Sequence, residues 1–175
     1  QVKGLPPGSS IYDYYQTDLD ITIPDETPFP SRAGVLESSA EYELTRTGWG
    51  MVQRSHPGDK FYEEVEVAVK SSADLDRLTF ESPLLDGRFE PVESVRRRAA
   101  KQCIFVKTGG PYLRTSNLRG AGQWLLDLAE DPGFAYELAM RVTQHITAVG
   151  LEAMRRYNLY HTGIWFFDDM ASNIS

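Results

Sequence analysis

Two short apolar runs, Ile104-Phe105-Val106-Lys107 and Gly163-Ile164-Trp165-Phe166-Phe167-Asp168-Asp169, are joined through helical sequence, and this constrains the fold more than any other feature. From Pro132 to about Tyr157, the apolar residues Phe134, Leu138, Val142, Ile146, Val149 and Met154 recur at near-helical spacing, which predicts one long helix with a buried stripe. Pro132 suits the first helical turn and Asp131 its N-cap. Strands connected through such a helix pair in parallel, with a right-handed crossover, because no tight turn can return the chain. The expected class is α/β.

Upstream the pattern differs. Tyr42 to Val52 and Phe61 to Val69 alternate apolar and polar residues around Ser55-His56-Pro57-Gly58-Asp59, which predicts a β-hairpin with Trp49 near its middle. Ser71-Ser72-Ala73-Asp74 offers N-cap side chains and an early carboxylate to a short helix, and Phe89 to Lys101 makes another. From Pro6 to Pro30 the prolines, and a cluster of Tyr12, Tyr14 and Tyr15, favour extended or irregular chain, with Leu19 to Ile23 as a short strand. The division expected is an irregular segment over 1–40 and a barrel-type domain over 41–175, with its hairpin at 42–69 and its βα units at 89–175.

Composition narrows the function classes. Eighteen basic residues against 25 acidic ones give a net charge of −7, which opposes adhesion to nucleic-acid phosphates and anionic lipid. No uninterrupted apolar run reaches membrane-spanning length, and the first residues lack the apolar core of a signal peptide, so cytoplasmic residence is the default. Cys103 is the single cysteine, so it can neither close an internal disulfide nor supply the thiolates of a structural zinc site. A small molecule is the expected partner.

Three constellations carry possible chemistry. Asp168-Asp169 follow four apolar residues, so they should end a buried parallel strand, where α/β proteins bind ligands. Adjacent strand residues face opposite sides, so one aspartate faces a cavity while the other caps the following helix or binds a neighbouring loop. Thr108-Gly109-Gly110-Pro111-Tyr112 ends the preceding strand, and its amides can bind an anion or simply make a tight strand-to-helix connection. Arg119, in Leu118-Arg119-Gly120, can fork onto a substrate carboxylate, or pair with Asp127 or a helix-end carbonyl. The run Arg96-Arg97-Arg98 with Lys101 reads as a solvated helix face. His56, His145 and His161 lack metal-ligand spacing, and Trp49, Trp124 and Trp165 read as core or interface anchors.

In their order, Trp49-Gly50, Val69-Lys70-Ser71-Ser72-Ala73-Asp74-Leu75-Asp76, Gly109-Gly110-Pro111-Tyr112, Leu118-Arg119-Gly120, the stretch Trp124 to Pro132, and Ile164 to Met170 resemble the uroporphyrinogen decarboxylase superfamily. The similarity runs from about residue 42 onward, towards the decarboxylase-like and corrinoid-dependent methyltransferase branches. It implies a (β/α)8 barrel of the TIM type, incomplete in this chain, since such a barrel needs about 250 residues. It also implies a polar cavity at the strands' C-terminal ends, approached by Asp168, Asp169 and Tyr112 as catalytic groups and by Gly109, Gly110, Arg119 and Asn173 as substrate contacts. The leading expectation is a corrinoid-linked methyltransferase acting on a small methylated compound, with zinc held by later His and Cys ligands and a corrinoid protein as partner. Decarboxylation of a porphyrinogen-like polyacid is the alternative, although the arginine- and glycine-rich N-terminal motif of true uroporphyrinogen decarboxylases is missing. A third expectation is a non-catalytic subunit that pairs through an open barrel edge, including with a second copy of itself.

Overall fold

The computed structural model describes residues 11–98 and 102–169, apart from the side chains of residues 12, 13 and 96–98. It is a mixed α/β structure with one parallel and one antiparallel sheet. The parallel sheet has the order β1 (Leu19–Thr22), β6 (Cys103–Gly109), β7 (Ile164–Phe167). Between β1 and β6 the chain makes a four-stranded antiparallel sheet, β2 (Gly34–Ser38), β3 (Glu43–Arg46), β4 (Val52–Ser55) and β5 (Glu63–Glu66), paired in sequence order. The helices are α1 (Ile11–Tyr14), α2 (Glu90–Arg98), α3 (Pro111–Arg119), α4 (Ala121–Glu130) and α5 (Pro132–Tyr157).

The strand, helices, strand reading of the second half matches what is observed. β6 and β7 run parallel, with Val106 opposite Ile164 and Gly109 opposite Phe167. Asp131 caps α5 by accepting from Phe134 N at 3.1 Å, and Phe134, Leu138, Val142, Ile146, Val149 and Met154 are all buried. That stripe serves two cores. Its end near Val149, Ala153 and Met154 packs on Ile104 and Val106 of β6 and on Phe89, Val92 and Val95. Its beginning, from Phe134 to Ile146, packs with Phe29, Trp49, Val69, Leu75 and Leu118, which lie in the turns and segments flanking the antiparallel strands and on α3.

Three expectations need correction. The hairpin of 42–69 is part of a four-stranded sheet, because the predicted first strand is broken by a turn in which Gly50 N donates to Thr47 O at 2.9 Å with Gly50 at φ +82°. β2 joins that sheet from within the segment read as irregular; its residues are all exposed, so no apolar alternation marks it. The short helix α1 lies in the same segment, among residues expected to be extended or irregular. β7 is an exposed edge strand rather than a buried one, with Trp165 45% and Phe166 59% exposed, since β6 is its only strand neighbour among the described residues. Trp165 is accordingly no core anchor, whereas Trp49 and Trp124 are buried. Among the described residues, no helix is long and apolar enough to cross a membrane.

Candidate functional site

The three parallel strands deliver their following loops to one edge of the sheet. After β6, Gly109 and Gly110 lead directly into α3, whose N-cap position is Gly110 and therefore has no side chain to offer. The capping group comes from β7 instead. Asp168 accepts from Tyr112 N at 3.0 Å and from Leu113 N at 2.8 Å, one on each carboxylate oxygen, and Asp169 N adds a third bond at 3.0 Å. Helix amides left open at an N-terminus attract an anion, and the anion here is the chain's own carboxylate. Gly110 N also donates to Phe167 O at 2.5 Å. A Cβ on Gly110 would fall on the Asp168 carboxylate, so the glycine is what lets the two loops meet.

From β1 comes Glu26, which the sequence reading did not single out. It is only 3% exposed. Gly109 N donates to both of its oxygens, at 3.1 and 3.0 Å, and Arg114 from α3 forms an ion pair with it. The Arg114 guanidinium also lies 5.6 Å from the centroid of the Trp49 ring, linking the parallel sheet to the antiparallel one. A Cβ at Gly109 would collide with Arg114. The segment carrying Glu26 is itself held by Arg88, whose side chain is 1% exposed and donates to Asp25 O at 2.8 Å, Thr27 O at 2.6 Å and Ser82 O at 2.9 Å. A signal for Glu26 did exist: an acidic residue shortly after a candidate strand becomes notable once that strand is known to lie beside β6.

The structure thus gathers Gly109, Gly110, Tyr112, Asp168 and Asp169 at one edge. Asp169 is exposed, and Tyr112 is half-buried with its ring 6.3 Å from that of Trp124. Arg119 does not join them. Buried at the other end of α3, it binds Asp127 through Nε at 2.6 Å and Nη2 at 3.1 Å, and donates to Val69 O and Lys70 O at 3.2 and 2.5 Å. Arg119's hydrogen bonds, followed by that from Gln123, hold the Asp127 carboxyl below its ordinary range. Of the two roles open to Arg119 in the sequence, the structural pairing is the one observed. Asn173, Lys101 and the side chains of Arg96, Arg97 and Arg98 lie outside the described residues.

His145 is buried on α5, where loss of solvent, and then the nearby Arg88 charge, pushes its imidazole pKa down. Among the described residues, no three His, Cys, Asp or Glu side chains gather so as to hold a metal ion. The edge carries three carboxylates, Glu26, Asp168 and Asp169, and two cations: Arg114, which is already committed to Glu26, and Lys107, whose ammonium lies 5.0 Å from the centroid of the Phe167 ring. Such an arrangement can orient a small neutral or cationic molecule, and among the described residues it leaves no free guanidinium there to bind a polyacid. No family model, no curated protein and no solved structure matches the chain.

Proposed function

We propose that the chain forms part of a (β/α)8-barrel enzyme of the uroporphyrinogen decarboxylase superfamily, transferring a methyl group from a small methylated compound at the C-terminal edge of its parallel strands. The observation that carries this reading is the convergence there of Glu26, the Gly109-Gly110 turn with Tyr112, and Asp168-Asp169, each from the loop after a different parallel strand. Catalytic groups of barrel enzymes come from the ends of several strands in this way.

The two faces of the parallel sheet lend support. Ile104 and Val106 are sealed by α2 and α5, whereas the opposite face carries Phe105, Lys107, Trp165 and Phe167, none of them buried. Over β6, a helix-covered face opposite an open one is compatible with a barrel wall, although Ile164 and Phe166 of β7, on the helix side, are exposed. The acidic edge favours methyl transfer over decarboxylation of a polyacid, whose carboxylates need free arginines.

In this mechanism Asp168 and Glu26 are positioning residues. They fix the loops after β6 and β7, while Asp169 and the Tyr112 hydroxyl contact the substrate and handle its proton. The described residues supply no cluster of metal ligands. The test is an assay of the purified protein for corrinoid methylation by methylated amines and thioethers, with carbon dioxide release from a porphyrinogen measured in parallel. Asp169→Ala and Tyr112→Phe should each lower turnover by about a hundredfold or more, the usual scale of acid–base assistance, with unchanged melting temperature. Full activity in both variants would remove the site, and carbon dioxide release without methyl transfer would reverse the choice of reaction.

A further inference from the structure

A cavity of about 500 Å³, whose lining shares no residue with the acidic edge, lies between the segment after β1, strands β3 and β5, and the helical turn at Ser72–Arg77. Its floor is apolar, formed by Phe29, Val67, Ala68 and Leu78. Its rim is cationic: Arg32, Arg46, Lys70 and Arg77 face two carboxylates, Glu66 and Asp74. Those carboxylates are already occupied. Glu66 binds Lys70 Nζ at 2.9 Å, and Asp74 accepts from Lys70 N and Ser71 N at 2.9 Å each, with Arg77 3.5 Å away.

Arg32 and Arg46 have no carboxylate within ion-pair distance among the described residues. The Arg32 guanidinium lies 4.8 Å from the Phe29 ring centroid, and Arg46 acts on Glu66 only at a distance. In a chain of net charge −7, two uncommitted guanidinium groups over an apolar floor form a local positive site. The volume is that of a small-molecule pocket. Gly50, which lines the cavity at φ +82°, brings its backbone against Phe29 and Ala68, and a Cβ there would meet both.

We propose that this cavity binds a small anionic molecule, in which a ring or short apolar body lies against Val67, Ala68 and Leu78 and a carboxylate or phosphate group is held by Arg32 and Arg46. Planar guanidinium donors match the oxygens of either acid. The site is separate from the acidic edge, so its failure would leave the proposed reaction standing, and the reverse holds too.

The experiment is calorimetric titration of the whole chain with phenyl phosphate, phthalate and inorganic phosphate. Saturable binding of phenyl phosphate or phthalate, tighter than that of inorganic phosphate and weakening as salt is raised, is expected; the preferred probe identifies the acid. Arg32→Ala and Arg46→Ala should each weaken it by roughly tenfold, the scale of one lost charge-assisted hydrogen bond, while Arg155→Ala on the far part of α5 leaves it unchanged. Three results would overturn the proposal: no saturable binding at millimolar probe, equal affinity for inorganic phosphate and the ring-bearing probes, or undiminished binding in the two arginine variants. The salt dependence is read on the unaltered protein, so the test stands even if a variant fails to fold.

Discussion

Arg119 and Arg54 show how differently two arginines weigh in this fold. Arg54 pairs with Glu63 at 2.9 Å, the two side chains being 37% and 60% exposed, and such solvent-accessible pairs contribute about 0–1 kcal/mol. Arg119 and Asp127 are each less than a tenth exposed, and two backbone carbonyls depend on the same guanidinium. Removing one partner leaves an uncompensated buried charge, so Arg119→Ala is expected to destabilise by about 3–5 kcal/mol, against little change for Arg54→Ala. Urea unfolding midpoints of the two variants check this, and similar midpoints would mean that Asp127 finds solvent when Arg119 is gone. The sequence offered Asp127 and a helix-end carbonyl as partners for Arg119, eight residues apart on adjoining helices. For Glu26 it offered only a place shortly after a candidate strand and no partner, because the amide it binds lies 83 residues away and a spacing rule reaches only along one element.

At the level of elements, α5 was legible almost entirely: its stripe, its Asp131 cap and its extent follow from local rules of helix geometry. How its C-terminal end is anchored was not. Glu152 binds Arg155 through 2.7 Å contacts to both its oxygens, and Arg156 through a further 2.7 Å contact; Arg156 then reaches Asp86 at 2.6 Å and Leu84 O at 3.0 Å. These bonds, first from Arg155 and then from Arg156, lower the Glu152 pKa from 4.5 to about 2. A carboxyl depressed by folding contributes stability fully above its ordinary pKa and loses it as the pH falls toward its folded value. Glu152 should therefore stabilise in full above pH 4.5 and lose that contribution between 4.5 and about 2. Denaturant midpoints measured across that window should fall less steeply in Glu152→Gln than in the unaltered protein, and parallel slopes would show that the clamp carries no linkage. The antiparallel strands were the least legible elements, since β2 and β5 expose every residue and are held by pairing rather than burial.

For the whole molecule, α5 joins two apolar clusters that share no other regular element of comparable length. Leu138 belongs to the cluster with Phe29, Trp49 and Val69, and Met154 to the cluster against the parallel sheet. If α5 couples them, Leu138→Ala and Met154→Ala should each cost about 2–5 kcal/mol and shift a single transition, with tryptophan fluorescence and far-UV circular dichroism remaining coincident. Separated transitions would mean that the clusters unfold independently. Arg114, pairing with Glu26 and stacking near Trp49, is a second tie between the two sheets.

By itself, the sequence determined the α/β alternation of the second half, the parallel pairing of β6 with β7, the long helix and its cap, and the turn at Ser55 to Asp59. All of these follow from periodicities and capping preferences that act within a few residues. Only the tertiary structure decided the fate of the charged groups: Asp168 became the cap of a helix that begins with glycine, Arg119 was drawn into a buried pair, and Glu26 was brought to the strand edge. A carboxylate settles where unpaired amides and guanidinium groups await it, and which of them lie within 3 Å or so is fixed by how distant segments pack.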